Sequence, residues 1–162
     1  MRPKTPLLLG IAAISAAAVG AALVSQHVYQ MQPCPWCVLQ RAIFAAIGLV
    51  ALLGALLPFG LLRRGLGVVV LLLAASGVAA ALWLHFVAAS SASCDLTLAD
   101  RIIGDLGLDA RFPEVFMATA SCADAKVDLL GLPYEVWALA LFVLIGAAAV
   151  RLVLPSRVAG RR

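Results

Sequence analysis

Four cysteines carry the chemistry open to this chain: Cys34, Cys37, Cys94 and Cys122. The first two form Cys34-Pro35-Trp36-Cys37, followed by Val38-Leu39-Gln40-Arg41. Cysteines at that spacing close a small disulfide or hold a metal. Pro35 suits the first position of a helix, where no backbone donor is needed. The motif is therefore expected to make Cys34 the helix start and to set Cys37 in the first turn. There the free N–H groups and the helix dipole favour a thiolate. Arg41 falls four residues after Cys37, on the same helix face, and its charge favours that thiolate further. The stretch reads as a reactive dithiol at a membrane surface.

A metal site fits poorly. Structural zinc draws its ligands from closely spaced pairs, and 27 residues separate Cys94 from Cys122. Covalent haem wants His after the second cysteine, and position 38 is Val. Two structural disulfides are the stronger alternative. Closing a loop between Cys94 and Cys122 contributes about 3–4 kcal/mol in the chain-entropy view. A four-residue Cys-x-x-Cys ring stabilises little, so that pair reads as chemical rather than structural.

Arg41 is the only Lys or Arg in the first outer loop or the helix end beside it. An ionisable group inside an apolar run defaults to function, although a snorkelling side chain is the plain alternative. Its expected roles are to stabilise the Cys37 thiolate and to attract an electron-rich cofactor oxygen. His85 lies at a similar depth near the end of the third apolar run. It suits donating a hydrogen bond or a proton to such a cofactor, or simply packing helices. His27, Tyr29 and Glu135 read as interface residues. Electrons leaving a membrane dithiol need an acceptor, and no haem, flavin or nucleotide motif is visible. A lipid-soluble quinone, entering sideways from the bilayer, fits.

These residues must be held by membrane helices. The chain is 64% hydrophobic and 12% charged, against about half apolar for a soluble domain, and its mean hydropathy is +1.07. Four runs reach the roughly 20 residues a bilayer crossing needs. The expectation is an all-α membrane protein: one domain, 1–162, with helices at about 7–25, 37–57, 66–89 and 132–154. A cleaved signal peptide is the alternative for the first run, which is long for one. Ala12, Ala16 and Gly20, at four-residue spacing, are expected to allow close helix packing. Pro58 closes the second run, and Arg63-Arg64 reads as a tight basic turn. Tyr134 and Trp137 open the fourth run as interface anchors.

Eight of the twelve Lys and Arg residues lie at the amino end, at Arg63-Arg64 and in the tail. By the positive-inside rule these regions and both termini face the cytoplasm. All eight acidic residues, Asp95 to Glu135, and all four cysteines fall on the other side, as disulfide chemistry in an oxidising compartment requires. The outer loops span about 26–36 and 90–131. In the second, Phe112, Val115 and Phe116 at helical spacing, with Pro113 as a helix start, suggest a short amphipathic helix on the membrane surface. The alternative is a loop whose aromatics plug the bundle.

The chain resembles the DsbB family of bacterial disulfide bond formation proteins. The likeness rests on Cys-x-x-Cys before the second helix, Arg four residues later and two loop cysteines before the fourth helix. Phe-Pro-Glu-Val-Phe (112–116), Cys122-Ala123 and Leu130-Gly131-Leu132 with Trp137 add to it. Pro133 before Tyr134 departs from the family pattern, and His85 matches the family's quinone-side histidine approximately. The resemblance implies an inner-membrane thiol:quinone oxidoreductase using ubiquinone or menaquinone. It implies that a Cys94–Cys122 disulfide oxidises a DsbA-like thioredoxin-fold partner, with Cys94 forming the mixed disulfide. The loop pair is then reoxidised by Cys34–Cys37 through a transient Cys34–Cys122 link. Cys37 passes electrons to the quinone with help from Arg41.

The nearest rival family, the vitamin K epoxide reductase-like quinone oxidoreductases, places its Cys-x-x-Cys after the loop cysteines, the reverse of the order here. A disulfide reductase running electrons outward usually keeps redox cysteines within the helices. A non-enzymatic four-span protein with structural disulfides is the third alternative.

Overall fold

The computed structural model describes residues 4–58, 60–88, 97–124, 128–129 and 131–154. Four helices are long and apolar enough to cross a membrane: α1 (Thr5–His27), α2 (Pro35–Leu56), α3 (Gly60–Phe86) and, at the end of the chain, α7 (Tyr134–Val153). Between α3 and α7 lie α4 (Leu98–Asp105), α5 (Leu108–Arg111) and α6 (Pro113–Phe116). A two-residue antiparallel ladder follows, β1 (Asp128–Leu129) with β2 (Leu132–Pro133). The protein is a multi-pass, four-helix membrane bundle.

Helix α1 packs along α2, α2 along α3, and α3 along α7, while α1 meets α7 only sparsely. Leu8, Ile11, Phe44, Ile47, Val70, Ala74, Phe142, Ile145 and Leu152 form the buried centre. Phe142 stacks on Phe44 at 4.0 Å between ring centroids, nearly parallel. A Cβ added at Gly77 would overlap the Phe142 ring. Phe142 is fully buried against Phe44, so the ring has nowhere to go. Gly77→Val should therefore lower stability by about 1–3 kcal/mol, seen as earlier thermal unfolding in detergent. An unshifted transition would show that the α3–α7 contact relaxes freely.

The small-residue stripe of α1 is corrected. Ala16 and Gly20 are exposed, and the packed face is Leu8, Ile11 and Ser15. Gly48 of α2 approaches there, its Cβ position 3.3 Å from Ser15 Cβ. An Ala-rich helix has no apolar stripe to fix its rotation, so any of several small-residue rows fits the sequence.

The basic turn is also corrected. Leu57 is extended, as a residue before proline prefers, and α3 already begins at Gly60. Arg63 and Arg64 therefore lie in its first turns. Arg63 is buried. It donates from Nη2 to the Leu57 carbonyl at 3.0 Å and the Ala55 carbonyl at 3.4 Å, and from Nη1 to Thr5 Oγ1 at 3.1 Å. Those carbonyls end α2 without helical partners, so a cation suits them. Lys4 does the same for α7, donating Nζ to the carbonyls of Leu152 and Leu154 at 2.8 and 2.9 Å.

The expected surface helix at 112–116 is a single turn, α6. Phe112 is exposed, whereas Phe116 packs partly buried against the cluster around Cys34. Helix α4 has a clear local cause. Thr97 Oγ1 accepts from the Asp100 N–H at 3.2 Å, and Asp100 Oδ2 accepts from the Thr97 N–H at 2.9 Å, a reciprocal cap. Ala99 and Ile103 bury its inner face. Gly107, at φ +62°, makes the turn into α5 that a side chain disfavours. Pro133 precedes α7 as the end of β2, so the last helix starts at Tyr134 rather than 132.

Candidate redox site

Cys34 caps α2 and Pro35 opens it, as the sequence indicates. The Cys37 N–H donates to Cys34 Sγ at 3.2 Å, and the two sulfurs form a disulfide with Cα atoms 5.1 Å apart. That separation is ordinary for a disulfide, so the first helical turn holds the pair without rearranging.

Cys122 is brought alongside by backbone pairing. The Pro33 carbonyl accepts from the N–H groups of Thr119 and Ala120 at 3.0 and 3.3 Å, and Thr119 Oγ1 bonds Gln32 Oε1. The turn carrying Cys122 is closed by Ser121 and Asp124, with the Ser121 hydroxyl 2.6 Å from Asp124 Oδ2. Cys34 and Cys122 consequently share one buried cluster with Trp36, Val38 and Leu84. Cys94 lies outside the described residues, and so does the Cys94–Cys122 pairing.

A cavity of about 220 Å³ joins these parts. Cys34, Cys37, Gln40 and Arg41 of α2, Cys122, Leu84 of α3, and Tyr134, Glu135 and Trp137 of α7 line it, and Ala18, Ala21 and Ala22 of α1 close the far wall. It thus sits where α1 and α7 meet only sparsely. Trp137 and Tyr134, read from sequence as interface anchors, are walls of this cavity. A larger groove of about 940 Å³ lies between α2, α3 and α4 and also reaches Cys122. Trp36 and Trp83 line it, their rings 6.1 Å apart.

Arg41 is 5% exposed. Its Nη1 donates to Gln26 Oε1 at 2.8 Å and to the Val115 carbonyl at 2.6 Å. The guanidinium therefore ties the end of α1 and the turn α6 to α2, a structural duty added to the one expected from sequence. Its Nε, and the Nε2 of buried Gln40, have no hydrogen-bond partner among the described residues. Unpaired buried donors are rare and call for an acceptor. Gln40 is a site residue that the sequence reading passed over, although a second polar residue beside Arg41 in an apolar run was the available signal.

His85 does not line this cavity. Its side chain is 43% exposed, and Nδ1 pairs with Glu135 Oε1 at 3.0 Å. Glu135, at 15% exposure, does line it. Among the described residues no cluster of His, Cys, Asp or Glu forms a metal site.

Burial pushes the Cys122 thiol above its ordinary value, and the charge of Asp100 adds to this, while a backbone hydrogen bond at Trp36 opposes both. A raised value leaves less thiolate at neutral pH than a free cysteine has. In reduced protein carrying Cys94→Ser, alkylation of Cys122 should therefore set in at higher pH than alkylation of glutathione. Onset at the same pH or below would contradict the burial argument.

A disulfide at a helix start, a buried third cysteine beside it and a donor-lined cavity, all at one end of a membrane bundle, define a multi-pass membrane protein with a redox role in disulfide formation. The family model described as disulfide bond formation protein DsbB matches residues 4–152, and the chain belongs to that family. It is 32% identical over 157 residues to disulfide bond formation protein B of Aromatoleum aromaticum, covering 93% of each chain. It is 35% identical to the protein of that name from Dechloromonas aromatica, covering 89% of this chain and 87% of the relative. With disulfide bond formation protein B 1 of Pseudomonas savastanoi it shares 38% identity, over 85% and 81%.

Proposed function

We propose that this chain is a bacterial inner-membrane protein-dithiol:quinone oxidoreductase. It reoxidises a DsbA-like thioredoxin-fold donor on the periplasmic side and delivers the electrons to membrane quinone, ubiquinone or menaquinone. The observation that carries this reading is the shared cavity: the Cys34–Cys37 disulfide and Cys122 line it together with Gln40 and Arg41, whose Nε2 and Nε are buried without a hydrogen-bond partner among the described residues. A quinone offers ring oxygens that accept hydrogen bonds, so the donor set fits it. The sparse α1–α7 seam supports entry from the bilayer. The basic residues at the opposite end support an orientation with the cysteines outside the cytoplasm.

Thiol exchange proceeds by attack of a thiolate on a disulfide sulfur through a mixed disulfide. In this reading Cys94 takes the partner's thiolate and Cys122 leaves. Cys122 then attacks Cys34, freeing Cys37 at the first turn of α2, where unpaired N–H groups stabilise negative charge. The partner's second cysteine then displaces Cys94, and Cys94 attacks Cys122, restoring the loop disulfide and leaving Cys34 and Cys37 reduced; that pair closes again as its two electrons pass on. Gln40 and Arg41 hold the acceptor's oxygens and the packed helices exclude water. The quinone, when bound, supplies a two-electron, two-proton acceptor soluble in lipid. His85 would act on this pocket through Glu135, its partner at 3.0 Å.

The test is direct. Protein reduced, stripped of lipid quinone and held without oxygen should lose its free thiols when a short-chain ubiquinone or menaquinone is added, with loss of the quinone's ultraviolet absorbance in proportion. Persistence of all thiols would remove the quinone from the reading.

A further inference from the structure

Glu135 is the second residue of α7 and stands one turn before Ala138 on the same wall of the cavity, in the local departure that Pro133 begins. We propose that Glu135 and His85 form a proton route into the cavity, with Glu135 the group that faces the cofactor and His85 the group that recharges it. This rests on the quinone reading above.

Closing a disulfide from two thiols releases two electrons and two protons, and reducing a quinone to a quinol takes up two of each. The electrons leave from sulfur, on the α2 side of the cavity. The two oxygens that take the protons lie on opposite sides of the ring. One can face the α2 donors, but the other faces away from the thiols and needs its own supply. On the α2 wall the titratable and charged groups are Cys34, Cys37 and Arg41; Cys122 lies beside them, and the α1 wall offers only alanines. On the α7 wall stand Tyr134 and Glu135. Of these, Glu135 is the one joined to an exposed titratable group among the described residues. Its Oε1 is 3.0 Å from His85 Nδ1, so one hydrogen bond separates a carboxyl inside the cavity from a ring 43% exposed at the bundle edge. A proton would move from Nδ1 to Oε1 and from the carboxyl to the far oxygen, while the near oxygen would take the proton of one thiol. His85 regains its proton from water and the second thiol proton goes to water, so two protons leave the thiols and two reach the acceptor.

Two substitutions test the route. Glu135→Gln keeps the wall's size but carries no transferable proton. Its kcat with a short-chain quinone should fall about 10²-fold, within the range for a lost general acid, with KM unchanged and the wild-type pH dependence flattened. His85→Ala, at an exposed position, should slow similarly and recover when imidazole is added, which a packing role does not allow. A readout independent of turnover comes from infrared spectra of the quinone-stripped protein at a single pH. The His85 ring modes should shift in Glu135→Gln, where an amide replaces the carboxylate facing Nδ1.

The route is overturned if Glu135→Gln retains the wild-type pH profile, if it changes KM alone, or if the ring modes are the same in both proteins. It is also overturned if imidazole does not restore His85→Ala. Failure of the wild-type control to be oxidised by quinone shows up separately, and overturns the functional reading with the route.

Discussion

Cys37→Ser should reduce thiol-dependent quinone reduction by about 10³-fold or more, toward the uncatalysed rate, and should yield protein with Cys34 joined to Cys122. Cys34 is fully buried and Cys122 nearly so. Both face one small cavity, and the backbone next to each is stitched together at the Pro33 carbonyl. Removing Cys37 leaves Cys122 as the cysteine beside Cys34 among the described residues. A disulfide needs only compatible Cα spacing and a sulfur in reach. Digestion without reductant followed by mass spectrometry should recover a peptide around Cys34 cross-linked to one around Cys122. The cross-link should disappear in Cys37→Ser, Cys122→Ser. Recovery of Cys34 as a free thiol in the single variant would mean that the two strands separate more readily than their hydrogen bonds imply.

Arg41→Ala should damage two properties at once. Among the described residues the guanidinium donates from Nη1 to two partners, Gln26 Oε1 and the Val115 carbonyl. Without it both acceptors lose a charged donor in a partly buried place. Hydrogen bonds from a charged donor contribute about 1.5–3 kcal/mol each, so a loss of about 3 kcal/mol in stability is expected. The segment from Leu106 to Met117 should become more sensitive to protease. KM for quinone should rise as well, because the Arg41 side chain is lost from the cavity wall. Arg41→Lys keeps the charge but not the planar fork, and should recover only part of either property. A variant Arg41→Ala with wild-type melting and wild-type protease resistance would show that α6 is held by its apolar contacts alone.

Much of this was legible in the chain. Uninterrupted apolar runs mark spanning helices because lipid imposes their length. Pro35 after Cys34 and Pro58 after Leu57 mark a start and a stop by removing a backbone donor and forbidding helical geometry before the ring. The cysteine spacing, Arg41 and the family resemblance led to the redox end of the bundle. What escaped was set by tertiary contact. Arg63 looked like a turn residue because charge in a gap usually means solvent, yet it is buried, satisfying carbonyls at the end of a neighbouring helix. The rotation of α1 was unreadable because an evenly apolar helix carries no preferred face. The nearness of Cys122 to Cys34 depends on two hydrogen bonds to one carbonyl 86 and 87 positions away. Gln40 and Glu135 were ordinary polar residues until the cavity between them was visible.

The cavity's walls come from both extremes of the polypeptide, α1 and α2 on one side and α7 on the other. During synthesis the first two helices leave the ribosome long before Tyr134 is added. Until the last helix inserts, the disulfide-bearing face of α2 has no lid on that side and borders the bilayer. Assembly order thereby becomes a safeguard: an incomplete chain carries its cysteine pair but not the chamber that confines it. A nascent protein arrested before residue 134 should be oxidisable by ordinary thiol reagents and yet lack the enclosed site, which closes only when translation is done.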